Sequence, residues 1–346
     1  MRSRDVKRLD THDLEEVCGE NGERMQFNKL LFLFSTIVVC ASAAHFLEQE
    51  WNLWKSKYGK QYDTEEIELN RQEAWLATRD LVHKHNQLAE LGLKNYTLAM
   101  NQFADLTPEE RASHISLGLK GQLAISHHTH IRHGNLPVIP DEYDWRNSKC
   151  VTPVKSQGEC GSCWAFATVS LIETRYCLDK GKQLIFSEQQ LVDCDKANDG
   201  CDGGLPVKAL EYVSKNGIMK SNDYKYKEKQ GKCLFNSNNA IKMKAKKYYY
   251  VNGEANMAAS VATNGPLTAG IGVNDEFMLY EKGIYDGTCA DGPNHAIVVV
   301  GYGRNYWTVR NSWGDGWGEA GYVRMKRNIN QCSIGVMPAT MEFTFN

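Results

Sequence analysis

Residues Gln157–Phe166 read QGECGSCWAF, with Cys160 and Cys163 three positions apart. A C-x-x-C pair can be half a zinc site, a dithiol redox couple, or a disulfide partner beside a catalytic thiolate. Those readings belong to different folds, so the rest of the chain has to separate them. A zinc site needs two more ligands, but after residue 136 the chain has one histidine, His295, and no second C-x-x-C. A redox couple would follow a strand in a βαβ setting, which is not the pattern here. The reading that survives is a thiolate with a neighbouring bridge.

The 346 residues are enough for two or three compact units. With 42% hydrophobic and 24% charged residues and a formal net charge of −2, nothing argues for nucleic acid or an anionic membrane as partner. Eleven cysteines favour disulfides, and hence export. Export has independent support: from Met25 the sequence MQFNKLLFLFSTIVVCASAAHF has a lysine-bearing start, an apolar run to Cys40 and small residues after it. That run is shorter than the about 20 residues a membrane span needs, so 25–44 is read as a cleaved signal peptide and no membrane attachment is expected after cleavage. Residues 1–24 are polar, mixed in charge and unlike a signal; they are read as an extension ahead of the true start at Met25.

Three segments follow. Residues 45–118 are highly charged and helical, with Trp51, Trp54 and Tyr58 at helical spacing and Trp75, Leu81 and Val82 further on. NYTLAM then reads as a short strand, and in ADLTPEE Thr107, Pro108 and Glu110 form a capping box with proline in the first turn. Residues 119–138 lose all patterning and read as an exposed linker, with a processing site between about Asn135 and Asp141. Its histidines, in HHTHIRH, read as linker rather than as a metal or pH-sensing cluster. From 139 to 346 helices come first (Cys163 to Leu178, then SEQQ with Ser187 as cap and Gln190 as partner). Strands come later: KMKAKKYYYV, LTAGIGV, HAIVVVGYG, YWTVRNSWG and GYVRMKR. This order predicts an α+β arrangement of two lobes. The alternating lysines of KMKAKKYYY read as a solvated strand face, not a nucleic-acid patch.

Cysteine catalysis needs a thiolate, a general acid near it, and a group that orients that acid. His295 opens an apolar strand, and sixteen residues on lies Asn311, in NSWGDGWG, with Trp313 and Trp317 beside it. An amide can accept the imidazole N–H, and a tryptophan over that bond would exclude water.

QGECGSCWAF, NHAIVVVGYG and RNSWGDGWG together resemble the three active-site blocks of papain-like cysteine proteases, the group that includes the cathepsins. The resemblance runs from Glu48 nearly to the C-terminus. It implies a papain-like two-lobed α+β fold, with a helical lobe, an antiparallel β-barrel-like lobe and a cleft between them, preceded by a helical prodomain. It also implies roles for single residues: Cys163 the nucleophile, His295 the acid/base, Asn311 its orienter, and the Gln157 side chain a donor in the oxyanion hole. At the start of the helix through WAFATVSLIE, N–H dipoles and an imidazolium would hold the thiol ionised.

By the same resemblance Gly203 and Gly204 of CDGGLP hold substrate backbone. Leu205, Pro206, Gly270, Ala296 and Met337 shape the pocket for the second residue before the cut (P2), and Asn294 and Trp317 complete the substrate-binding set. The pocket is apolar, so Leu, Val or Phe is expected there over Arg. No histidine-bearing insertion lies near Cys201, which favours an endopeptidase. The family's bridges imply Cys160–Cys201, Cys194–Cys233 and Cys289–Cys332; Cys150 and Cys177 pair by elimination. No metal and no cofactor is called for, and a monomer acting on peptide or protein substrates is expected.

The helical segment resembles the family's inhibitory prosegment. The motif E-x3-R-x3-F-x2-N-x3-I-x3-N is met by Arg71, Trp75, Val82 and Asn86, but Ile67 and Thr78 stand where Glu and Asn are usual, so the usual internal salt bridge is not carried over. AMNQFAD, with Asn101, Phe103 and Asp105, matches the second prosegment motif, and NYT at Asn95 is a glycosylation sequon. The expected protein is therefore a zymogen of the secretory pathway, bound for a lysosome- or food-vacuole-like compartment or for the exterior, whose prosegment blocks the cleft until acid weakens its ion pairs. A catalytically silent binding relative would lack the nucleophile or the histidine. A transglutaminase-like Cys–His enzyme would not need the Trp-rich block.

Overall fold

The computed structural model describes residues 45–113, 115, 136–251 and 253–345. The proposed extension, signal peptide and histidine-rich linker run lie outside the described residues. The chain divides into two compact units, Met1–Gln72 and Glu73–Asn346. The boundary falls inside a helix rather than at the linker, because the chain from Glu73 to Ser113 is built into the second unit by strand pairing and side-chain contacts.

In the first unit, helix α1 (45–58) carries Trp51 stacked on Trp54 at 5.3 Å and on Tyr62 at 5.9 Å. Trp51 Nε1 donates to Glu68, which also pairs with Lys55. Helix α2 (Glu65–Glu90) starts in this unit and ends in the other.

In the second unit α2 buries Trp75, Thr78, Val82 and His85, a single helical stripe. Asn86 then receives the N–H of Leu98 and donates to its carbonyl, both at 2.8 Å, clamping strand β1 (Tyr96–Leu98) to the helix. Helix α3 (Pro108–Ser113) opens with the expected reciprocal box: Thr107 N donates to Glu110 Oε2 and Glu110 N to Thr107 Oγ1.

Strands β2 (Tyr143–Asp144) and β5 to β11 join β1 in one sheet of nine strands, ordered β1-β7-β10-β9-β8-β6-β11-β5 with β2 on β8. Here β5 is Met243–Tyr250, β6 Leu267–Ile271, β7 Tyr280–Tyr285, β8 His295–Tyr302, β9 Tyr306–Arg310, β10 Tyr322–Lys326 and β11 Ala339–Phe345. Only β7 and β10 run parallel; β1 pairs antiparallel with β7. Strands β7 and β11 are not evident in the sequence pattern. A separate pair, β3 (Ile218–Met219) and β4 (Ala240–Ile241), belongs to the helical side.

That side is built on α4 (Cys163–Lys180), α5 (Glu188–Cys194) and α6 (Pro206–Asn216). Ser187 caps α5 by accepting from Gln190 N at 3.0 Å, but the Gln190 side chain does not return to complete the box. It bridges Gly217 O and Met219 N instead, because those buried groups need partners. The remaining helices, α7 (Glu254–Asn264) and α8 (Asp275–Met278), lie on the sheet side.

Strand β8 explains its unbroken apolar sequence. All eight residues are buried; Ile297 and Val299 enter the core of the sheet, while Ala296, Val298 and Val300 pack against α4. Alternating residues thus serve two cores, so the strand beyond His295 is apolar on both faces. The first residue of this shared strand is His295.

Candidate active site

Cys163 starts α4, a helix buried on all sides from Cys163 to Thr174. Its N-cap, Ser162, makes no side-chain capping bond, so the first N–H groups of the helix are left for the sulfur. Ala296 N donates to Sγ at 3.5 Å, and the N–H groups of Trp164 and Cys163 also pull the thiol pKa down. Burial outweighs them and pushes the thiol up to about 11. His295, equally buried, is pulled down to about 4 by burial, against the Asn311 hydrogen bond. Burial thus works against both the thiolate and the imidazolium in this structure.

The ring orientation follows from its partners. His295 Nε2 lies 2.8 Å from Asn311 Oδ1. That atom also accepts Ser312 N at 2.8 Å, which identifies it as the carbonyl oxygen and makes Nε2 the donor. Nδ1 is therefore the basic nitrogen; it is buried and makes no hydrogen bond. Among the described cysteines Cys163 alone is outside a disulfide.

Gln157 is fixed by the same block. Its N–H donates to Ser312 O at 2.8 Å, its Oε1 accepts Ser312 Oγ at 2.6 Å, and its Nε2 donates to Cys160 O at 3.0 Å. One Nε2 hydrogen is left over. Tyr226 donates to Gln157 O at 2.7 Å and meets Ser162 Oγ at 2.6 Å, while Lys155, two residues upstream, is anchored to buried Glu173 and Glu188 at 2.6 Å each. Ser312, although inside NSWGDGWG, and Tyr226, outside every block, carry no role in the sequence reading.

Trp313 lies against the His295 ring, centroids 4.8 Å apart and planes 33° apart. Trp317, expected among the substrate-binding residues, is instead fully buried behind Trp313, with its Nε1 on Met278 O. The Asn294 carboxamide holds Val273 N and O at 2.7 and 2.9 Å, bracing the loop after β6. By contrast Leu205, Pro206, Gly270, Ala296 and Met337 do line one cavity, joined by Val207, Tyr250, Thr268, Ala269 and Ala339. Thr268 directs its hydroxyl to Ala339 O at 3.1 Å, which leaves the wall largely apolar. Gly203 has φ +117°, and a Cβ on Gly204 would come within 2.8 Å of both Asn198 Oδ1 and the Trp164 ring, so this loop requires bare backbone.

Among the described residues four bridges are present: Cys160–Cys201, Cys194–Cys233, Cys289–Cys332 and Cys150–Cys177. The first ties the loop below Gln157 to the Gly203–Gly204 loop, and Gly161 N donates to Cys201 O beside it.

The prosegment residues of the second unit meet the sheet beside Trp313, the ring that lies against His295. Asn101 Nδ2 donates to Met278 O and Gln102 Nε2 to Trp313 O, at 2.8 and 2.9 Å, and Phe103 packs edge-on to Trp313 at 5.3 Å.

Comparison with known proteins follows this division. Residues 139–341 match the family described as papain family cysteine protease, and 51–111 match the cathepsin propeptide inhibitor domain. A cathepsin L-like proteinase of Fasciola hepatica is 37% identical over 316 residues, 88% of this chain and 95% of that one. Cathepsin S of Bos taurus is 37% identical over 329 residues, 90% and 99% of the two chains. Among solved structures, digestive procathepsin L 3 of the Tenebrio molitor larval midgut superposes with a TM-score of 0.79 at 34% identity, covering 85% of this chain and 98% of that one.

Proposed function

The chain belongs to the papain family of cysteine proteases, with a cathepsin-type propeptide inhibitor domain in front, and on that premise we propose a secretory-pathway endopeptidase, monomeric and made as a zymogen, that cuts through an acyl-enzyme on Cys163. The observation that carries this reading is the buried, unpartnered Nδ1 of His295 on a ring whose other nitrogen is tied to Asn311.

Nδ1 takes the thiol proton as the sulfur attacks the scissile carbonyl. The spare Nε2 hydrogen of Gln157 and the Cys163 N–H receive the oxyanion at the head of α4. His295 then protonates the leaving amine, and water, deprotonated by the same nitrogen, releases the acid product. Asn311 keeps the ring on axis through both transfers. Trp313 covers the His295–Asn311 bond, where excluding water strengthens it.

Labelling by an epoxide selective for this thiolate tests the assignment. Acid-activated protein is expected to gain one adduct at Cys163 and Cys163→Ser none; unlabelled wild-type protein would overturn it. The apolar cavity at Leu205, Gly270 and Met337 favours Leu, Val or Phe at P2. A Phe-Arg reporter should be cut well ahead of Arg-Arg, and equal rates would remove this cavity as the selector. Four disulfides support an oxidising destination, either a lysosome-like compartment or the exterior.

A further inference from the structure

The chain has one N-x-S/T tripeptide, Asn95-Tyr96-Thr97, and the fold places it where α2 hands over to β1. Helix α2 is closed by Gly92, at φ +74°, with Leu93 N donating to Leu88 O at 2.9 Å. The turn leaves Leu91 and Leu93 73% and 69% exposed, and Asn95 beyond them is also exposed. Asn95 is nevertheless held at the seam: its carbonyl accepts Ile284 N at 2.9 Å and its Nδ2 donates to Asp286 Oδ2 at 2.6 Å. Nδ2 carries two hydrogens and this contact needs one, so the other can be replaced by a sugar without breaking the seam.

The same turn has the composition that the proposed cleft selects. LGLKN puts Leu93 second before the Lys94–Asn95 bond, in a solvent-exposed turn of the kind proteases nick. A cut there would separate α2 from β1, the strand by which the prosegment pairs with β7.

We propose that Asn95 is N-glycosylated and that its glycan protects the Lys94–Asn95 bond from the chain's own peptidase. In the modification, Asn95 Nδ2 attacks the anomeric carbon of a lipid-diphosphate-linked oligosaccharide. The C–N bond forms, the sugar–phosphate bond breaks, one Nδ2 proton passes to the transferase, and the lipid diphosphate leaves. The glycan then stands on the residue just after the exposed bond, where it bars entry to a narrow cleft and covers the two leucines. Because no other N-x-S/T tripeptide exists, the glycan departs with the prosegment, and the mature enzyme carries none.

The protection rests on the peptidase reading above; the modification does not. The test uses full-length Cys163→Ala chain secreted from eukaryotic cells, alone and with Asn95→Gln or Thr97→Ser. Peptide N-glycosidase is expected to lower the mass of the parent and of Thr97→Ser, which keeps the tripeptide, and to leave Asn95→Gln unchanged. A parent with no mass change overturns the site. Each chain is then exposed to active mature enzyme and its fragment ends are mapped. Cleavage after Lys94 should be about tenfold or more faster in Asn95→Gln than in the glycosylated parent, and equal cleavage overturns the protective role. A mature enzyme that also fails to cut the Phe-Arg reporter overturns the peptidase reading, while the mass measurement still decides the modification.

Discussion

The proposed catalytic centre is buried and the prosegment seam runs from exposed Asn95 to buried Asn101, and the two treat polar groups in opposite ways. At the centre, His295 Nδ1 and Asn311 Nδ2 are enclosed without a hydrogen-bond partner. At the seam, Tyr96 and Thr97 donate to Glu276 and Glu281, Asn95 to Asp286 and Asn101 to Met278 O. An unsatisfied buried nitrogen costs about 1–3 kcal/mol and persists where the surrounding structure holds it. Here the shared strand β8, the buried α4 and the Ser312 bridge provide that frame. The seam holds by complementary pairs, so it can be undone by changing their charge. One region keeps reactivity in reserve and the other keeps it covered.

The largest effect should come from removing the reserved nitrogen. In His295→Ala the thiol has no proton acceptor, and kcat should fall by about a hundredfold to ten-thousandfold, the usual contribution of a general acid–base. Circular dichroism should be unchanged. Near-normal turnover would mean that the unpartnered Nδ1 is only a packing defect.

Gln157→Ala comes next. It deletes the spare Nε2 hydrogen and unties Ser312 Oγ, so kcat should drop about a hundredfold to a thousandfold with KM little changed. A rise in KM alone would show that Gln157 binds substrate rather than the oxyanion.

How far such residues could be read without coordinates depends on where their partners lie. Cys163, His295 and Asn311 each sit in a local motif, and α4, β6, β8, β9 and β10 carry hydrophobic runs that declare themselves. Choosing between Trp313 and Trp317 needed tertiary geometry, because both fit the spacing and only one meets the imidazole. Ser312 is an ordinary serine until Gln157, 155 residues earlier, is brought to it. Strand β11 and Tyr250 are similar: Ala339 faces Tyr250 across the β11–β5 register, and both then line the cavity beside Gly270. The seam was the least legible part, since Tyr96 and Glu276 are joined across 180 residues.

A smaller change should follow from thinning the seam. Phe103 meets Trp313 edge-on at 5.3 Å, an aromatic pair worth about 0.5–1.5 kcal/mol beyond the area it buries. Phe103→Ala should therefore weaken inhibition by the prosegment about tenfold or somewhat more. The change should be read as the inhibition constant of the isolated prosegment against mature enzyme. No change would place the hold in the hydrogen bonds of Asn101 and Gln102 alone.

The smallest and most selective effect is on pH dependence, and it centres on Glu276. From α2 His85 Nδ1 faces it at 3.1 Å; from the turn and β1 come Lys94 Nζ at 3.7 Å and the Tyr96 hydroxyl; from its own side comes Thr288 Oγ1 at 3.1 Å. Neighbouring Asp275 meets Arg111 at 3.5 Å. Burial pushes the Glu276 carboxyl up, but the Tyr96 and Thr288 hydrogen bonds and the Lys94 and His85 charges outweigh it, leaving the pKa below its ordinary 4.5. A carboxyl depressed in the closed state and ordinary in the open one favours closure above 4.5, and that share is lost as pH falls through the depressed value. Acidification from neutral to mildly acidic pH leaves this contact intact; only stronger acid removes it. Glu276→Gln has no such charge to lose, so its prosegment should release at higher pH and with a shallower pH dependence than wild type. Release can be followed as the onset of reporter cleavage across a pH series, with mature enzyme's own profile divided out. Superimposable curves would move the acid trigger away from Glu276 and leave Glu281 and Asp286, the other seam carboxylates, to carry it.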